Sequence, residues 1–435
     1  MQELSSYTLI IGASVILILS FFFGEAARKT NIPSVLMLIV LGILLQFVLD
    51  AAIGERPNFL PVLKVLGTVG LIMIVLEAAL ELELKPGKYL PIVKALFIAL
   101  ISLLASAYAA ALILHQFVPG MDMASAWLYA TPLSILSSAI IIPSVAALRD
   151  DKREFHIYES TFSDILGIMM FYFLTGNLDT AGHGNGSSSG ILDFSGNLLL
   201  TIGIAVIASY LIILIFQNIR SHTKLFLLIA VLLLLYAVGK KMHLSSLIII
   251  LVFGLVIANM KIFFQGKLGQ WLHLEKASQM YEGLHVVTME SAFVVRTFFF
   301  VIFGLTISLA SIANLEVTLI SLAIVASIYL IRFIFLRVFI GKDIFPQLYI
   351  APRGLITILL FYDIPEQAII PGFEPGILLD IIIGTSLIMT FAMIRDKQRS
   401  SKAIEKAKEE PVGYEKWKAP SINDYTKEEG AQEKH

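Results

Sequence analysis

The chain contains no cysteine. That excludes disulfide bridges and thiolate metal centres. Charge is the second shortage: 15% of the 435 residues are Asp, Glu, Lys or Arg, where soluble proteins carry roughly a quarter. Apolar residues make up 57% of the chain and its mean hydropathy is +0.84. Such a composition belongs to a polytopic membrane protein. The N-terminus has no positively charged segment ahead of its first apolar run, so that run is expected to be a retained helix rather than a signal peptide. No zinc-binding motif and no serine–histidine pair falls within an apolar run, which argues against an intramembrane enzyme. Neither a cofactor nor a nucleic-acid partner is expected.

A membrane-crossing helix needs roughly 20 mainly apolar residues. On that measure about thirteen candidates are present, at 7–23, 33–50, 62–82, 90–117, 124–148, 157–176, 192–216, 222–239, 243–260, 286–308, 312–337, 345–362 and 375–395. Residues 177–191, rich in Gly and Ser, predict a flexible linker, in which His183 is read as solvated. Residues 263–280, with Trp271, Leu272 and Lys276, predict an amphipathic helix at the interface. Residues 396–435 are rich in Lys and Glu and predict a solvated, disordered cytoplasmic tail.

Alternate loops carry the basic residues. Arg28 and Lys29, Lys85 and Lys88, Arg149 with Lys152 and Arg153, Arg220 and Lys224, Lys261 with Lys267 and Lys276, and Arg337 with Lys342 fall on one side. Loops 118–123, 177–191, 309–311 and 363–374 have no Lys or Arg. Positive charge stays in the cytoplasm, so the N-terminus is expected outside and the C-terminus inside an inner cell membrane.

Polar and helix-breaking residues inside the apolar runs cluster. The fifth run contains Thr131-Pro132, Ser134, Ser137-Ser138 and Pro143; the twelfth contains Ala351-Pro352-Arg353-Gly354 and Thr357. Proline removes a helical donor and clashes with the preceding turn. The two interruptions lie seven runs apart and hence in opposite orientation, which predicts inverted repeats with two broken helices around a binding site. Just after the first interruption the sixth run carries Glu159 and Asp164. A carboxylate at that depth is costly and marks a functional site. An arginine beside Asp164 would lock it as an anion, so Arg353 is assigned to Glu159 as a structural ion pair. Asp164 is left to hold either a proton or an alkali cation, with Ser163, Ser137 and Ser138 offering neutral oxygens. Competition for one carboxylate couples the two fluxes and predicts electroneutral exchange. Glu77, Glu290 and Arg296 are accessory candidates; Glu290 and Arg296, six apart, do not share a helix face.

These residues resemble a family. Glu159-Ser160-x-x-Ser163-Asp164, followed by Gly167 and Phe171, resembles the E-S-x-x-N-D-x-x-G motif of sodium/proton exchangers of the monovalent cation/proton antiporter superfamily. Arg353-Gly354 resembles its R-G motif. Leu136-Ser137-Ser138-Ala139-Ile140 is similar to the unwound segment of potassium-efflux antiporters. Ile32 to Leu45, Leu71 to Leu84 and Phe299 to Gly304 resemble further helices of the family. The resemblance implies an all-α antiporter fold over residues 1–395. It also implies a homodimer whose moving core (near 90–176 and 312–395) shifts against a dimerisation domain (near 7–82 and 192–308). Further, it implies an ion-binding Asp at Asp164 and an ion pair between Glu159 and Arg353. The chain departs from the pattern at Ser163, where the family has Asn or Asp, and lacks its T-D-P.

The expected activity is exchange of a monovalent cation for H⁺, with Na⁺ first and K⁺ or Li⁺ as alternatives. A sodium-coupled organic-anion symporter would need a second polar pocket, and a channel would need no titrating carboxylate.

Overall fold

The computed structural model describes residues 6–30, 32–53, 60–82, 84, 89–181, 187–219, 224–242, 246–264, 273–306 and 314–409. All the regular structure there is helical. In lipid every backbone donor and acceptor must be satisfied within the protein, and helices do this locally. The helices are α1 (Ser6–Thr30), α2 (Ser34–Ile53), α3 (Leu60–Glu81), α4 (Tyr89–Phe117), α5 (Met123–Ser134), α6 (Ser138–Ser144), α7 (Asp150–Ala181) and α8 (Ser187–Phe216). They continue as α9 (Lys224–Lys241), α10 (Ser246–Ala258), α11 (Met260–Phe263), α12 (Leu274–Thr306), α13 (Leu315–Phe339), α14 (Leu355–Tyr362) and α15 (Gly376–Glu409). Among the described residues seven stretches, Tyr89–Phe117 and Leu315–Phe339 among them, are long and apolar enough to cross a bilayer; Ser34–Leu49 and Ser246–Ala258 are shorter apolar helices.

The two halves share a local plan. α4 and α13 are long helices, each followed by a glycine at positive φ, Gly120 at 75° and Gly341 at 105°. Each then leads into a broken segment: α5 and α6 on one side, a 3₁₀ turn (Gln347–Tyr349) and α14 on the other. Asp122 caps α5 by accepting from the N–H groups of Ala124 and Ser125, at 3.1 and 3.4 Å.

Packing within residues 6–392 falls into two sets. In one, α1 packs on α2, α2 and α3 on α12, and α10 on α3, α8 and α9. In the other, α4 packs on α5, α7 and α13, α7 on α5 and α6, and α14 on α5. The seam between the sets is made mainly by α3 against α14 and α7. Residues Met1–Ala392 form one compact unit and Met393–His435 a second.

Three sequence expectations change. The linker expected over 177–191 is shorter: α7 runs to Ala181 and α8 starts at Ser187, where a serine run suits a helix start. His183 lies outside the described residues. The expected interfacial helix over 263–280 falls partly on undescribed residues, Trp271 and Leu272 included, while Lys276 lies in the first turn of α12. The chain expected to turn disordered at 396 stays helical to Glu409. Its Lys, Glu, Gln and Ala are good helix formers, and no Gly or Pro intervenes before Pro411. Residues 410–435 lie outside the described residues.

Candidate functional site at the crossing of two broken helices

The prolines do not make the first break. Pro132 sits inside α5 and Pro143 inside α6; the chain unwinds between them, at Ile135–Ser137. The second break covers Ala351–Gly354. Unwinding frees backbone donors, and in a buried site each must find a partner. Leu136 N–H donates to Ser163 Oγ at 3.0 Å. Ser137 N–H donates across the crossing to Pro352 O at 3.0 Å. Arg353 N–H donates to Thr385 Oγ1, also at 3.0 Å. The two breaks are therefore satisfied by each other and by the helices on either side, α7 and α15. Upstream, the Thr131 and Ser134 hydroxyls donate back to the carbonyls of Trp127 and Ala130 within α5.

Close approach is a condition of this geometry. A Cβ on Gly354 would collide with the Ser137 side chain, and one on Gly167 with Ile135. The R-G motif and the glycine after Asp164 are thus spacers that let the unwound strands touch.

Asp164 faces this crossing from α7. It is 2% exposed, and neither carboxylate oxygen has a hydrogen-bond partner. The hydroxyl and N–H of Ser138, at the start of α6, face it without closing a hydrogen bond. A carboxylate taken out of water and left this way is costly as a bare anion.

The other expected residues separate by role. Ser138 lies with Asp164. Ser163 is occupied by the Leu136 N–H, and Ser137 is packed against Gly354. The expected Glu159–Arg353 pair is not the one formed. Glu159 Oε1 and Oε2 accept from Arg332 Nη1 and Nη2, at 2.7 and 2.8 Å. Arg353 instead donates from Nε to Leu133 O at 2.8 Å and from Nη1 to Ala351 O at 2.9 Å. The reason is positional: Arg353 lies in the second break, where its guanidinium reaches the carbonyl of Ala351 beside it and that of Leu133 at the end of α5. Arg332 also donates to Gln347 O, at 3.2 Å from Nε and 3.0 Å from Nη2. A cavity of about 20 Å³, water-sized, lies between these arginines and Ser102, Ser106 and Ser163.

Glu77 and Arg296 meet each other, 3.2 Å apart, across α3 and α12; both helices belong to the set of α1–α3, α8–α10 and α12, whereas Asp164 lies on α7. Glu290 is exposed.

Sequence reasoning missed Arg332, although an arginine amid Leu330-Ile331 and Phe333-Ile334 carried the same signal as Arg353. It also missed His156, buried with Nδ1 3.3 Å from Glu159 Oε2. Asp380 was missed as well: its Oδ2 is buried without a partner on α15, where Ser321 and Thr318 face it.

The family model described as sodium/hydrogen exchanger, transmembrane, matches residues 15–393. The chain belongs to the sodium/hydrogen exchanger family. Cation/proton antiport in a multi-pass membrane protein is this family's activity, and it is transport rather than enzymatic catalysis. Among solved structures the chain resembles the sodium proton antiporter MjNhaP1 from Methanocaldococcus jannaschii at pH 8. Identity is 21% and the TM-score 0.64, over 89% of this chain and 98% of that one. An electron-microscopy map of MjNhaP1 matches with 19% identity and a TM-score of 0.61, over 96% of this chain and all of that one. These likenesses establish the sodium/proton antiporter fold, with its inverted repeats and crossing broken helices. No curated protein matches the chain.

Proposed function

We propose that this exchanger carries Na⁺, with K⁺ or Li⁺ as alternative cargoes, against H⁺, and that Asp164 alternately holds the cation and the proton. The observation carrying this reading is the buried carboxylate of Asp164, unpartnered at the meeting point of two unwound segments. Ser138 is the neutral oxygen beside it. Ser163 and Ser137 act indirectly, by holding the unwound strands in place. Because one carboxylate is shared, one charge replaces one charge and the exchange is electroneutral.

The two packing sets support a division of labour. Helices α4–α7, α13 and α14, with residues 376–392 of α15, form the moving core, and α1–α3, α8–α10 and α12 form the scaffold through which a homodimer assembles. Alternating access is then a shift of the first set along the seam at α3. Charge alternation in the loops supports an outside N-terminus and a cytoplasmic C-terminus in the inner cell membrane.

The test is cation-induced collapse of a pH gradient in inverted vesicles, with Na⁺, Li⁺ and K⁺ added separately. Exchange that disappears in Asp164→Asn is the expected outcome. Exchange that survives the substitution overturns the assignment of Asp164. A rate that follows an imposed membrane potential contradicts electroneutrality.

A further inference from the structure

Three ion pairs between distant parts of the chain each stay within one packing set. Glu159–Arg332 joins α7 to α13, and Lys152–Asp343, at 2.9 Å, joins α7 to the segment after α13. Both stay within one set. Glu77–Arg296 joins α3 to α12, within the other. Lys240–Asp363 is different. Lys240 lies in the last turn of α9, in the scaffold set, while Asp363 caps the C-terminus of α14, in the core set, and Lys240 Nζ lies 3.2 Å from Asp363 Oδ1.

Asp363 is also held from its own side. Tyr172 of α7, two turns beyond Asp164, donates its hydroxyl to Asp363 Oδ2 at 2.8 Å. The carboxylate is thus anchored to the core through one oxygen and gripped by the scaffold through the other. Beside it lies a cavity of about 240 Å³, large enough for several waters, bounded by Gly67 and Thr68 of α3, Tyr236 of α9, and Tyr362 and Asp363 of α14. It sits on the seam where a shift of one set past the other takes place. Lys240 and Asp363 are 55% and 33% exposed. An ion pair that open to water contributes little to stability, which suits a contact made and broken in every cycle.

Resting on the antiport reading, we propose that Lys240 and Asp363 form the outer closure of the transport path, and that the cavity beside them is the vestibule leading a hydrated alkali cation toward Asp164. Tyr172 keeps Asp363 moving with the core, so Lys240 has to release the carboxylate when the core shifts. Lys240 and Asp363 are positioning residues. They do not bind the cation at the exchange site.

The absence of cysteine makes the test direct. Lys240→Cys and Asp363→Cys are combined and reconstituted in liposomes, then bridged by a bifunctional thiol reagent with a cleavable spacer. The expected result is Na⁺-dependent exchange before bridging, loss of exchange once bridged, and recovery on cleavage. The reagent leaves the single Lys240→Cys variant active. Bridged protein that exchanges at the unbridged rate overturns the closure.

A second arm avoids cysteines. Lys240→Gln is expected to change the maximal rate and leave the order of Na⁺, Li⁺ and K⁺ intact. A change in cation KM alone would make Lys240 a charge that screens the vestibule, and would overturn the closure. Unsubstituted protein with no cation-dependent exchange would instead overturn the antiport reading, and the closure with it.

Discussion

Arg332 grips Glu159 with two parallel hydrogen bonds, 2.7 and 2.8 Å long, across 173 positions of sequence. Both side chains are buried, at 4% and 0% exposure. The pair ties α13 to α7 directly beneath the Asp164 turn, and so fixes where that turn sits.

Removing one partner of such a pair leaves an uncompensated buried charge, which costs about 3–5 kcal/mol. Arg332→Ala is therefore expected to lower the thermal stability of the purified protein sharply. Arg332→Lys keeps the charge and loses the two-pronged geometry, so its melting temperature falls in between. Thermal melting in detergent, followed by size-exclusion chromatography, separates the three proteins. A melting temperature unchanged in Arg332→Ala contradicts the structural role.

Arg353 makes the opposite kind of contact, to the carbonyls of Leu133, in the last turn of α5, and Ala351, in the second break. Arg353→Lys retains a positive charge with one donor centre in place of a fork. It is expected to impair exchange while leaving Glu159 paired with Arg332. The check is exchange rate alongside thermal melting: a large loss of rate with a small shift in melting supports the reading.

Ser163→Ala strips the Leu136 N–H of its acceptor. An unsatisfied buried donor costs about 1–3 kcal/mol, so stability and exchange rate should fall together. Ser163→Thr keeps the oxygen and should restore most of both. The relative preference for Na⁺, Li⁺ and K⁺ should not move in either variant, because the hydroxyl oxygen serves the backbone. A selectivity change in Ser163→Ala would place Ser163 in the cation shell instead.

Gly354→Ala sets a methyl group against Ser137. The two breaks would be pushed apart, and exchange should drop. Adding Ser137→Gly makes room and should recover part of the activity. Failure of the second substitution to help would mean that the spacing is set elsewhere, at Ile140 for instance.

Protons and cations that compete for Asp164 leave a signature in the pH dependence. Lowering the pH should raise the apparent KM for Na⁺ while the maximal rate under saturating Na⁺ changes less. A KM independent of pH would require separate sites for the two cargoes.

The sequence by itself determined a good deal. Its shortage of charge and its run lengths required a helical membrane protein, since only internally bonded backbone survives in lipid. The motif Glu159-Ser160-x-x-Ser163-Asp164 and the two interrupted runs named residues that the fold brings together at one crossing. An intramembrane carboxylate cannot be hidden by composition.

Partnership was decided only by the tertiary structure. A sequence shows arginines and acids within apolar runs but no distances. Arg332, not Arg353, is the guanidinium that the fold sets against the Glu159 carboxylate. The same holds for Ser163, which reads as an ion ligand until the Leu136 N–H is found pointing at it. Prolines mark where a helix is weak; the chain unwound at Ile135–Ser137, where Ser163 of α7 and Pro352 of the second break accept the freed donors. Hydrophobic runs are local and legible. Hydrogen-bond satisfaction at a crossing joins residues hundreds of positions apart, and only the folded chain brings them within reach.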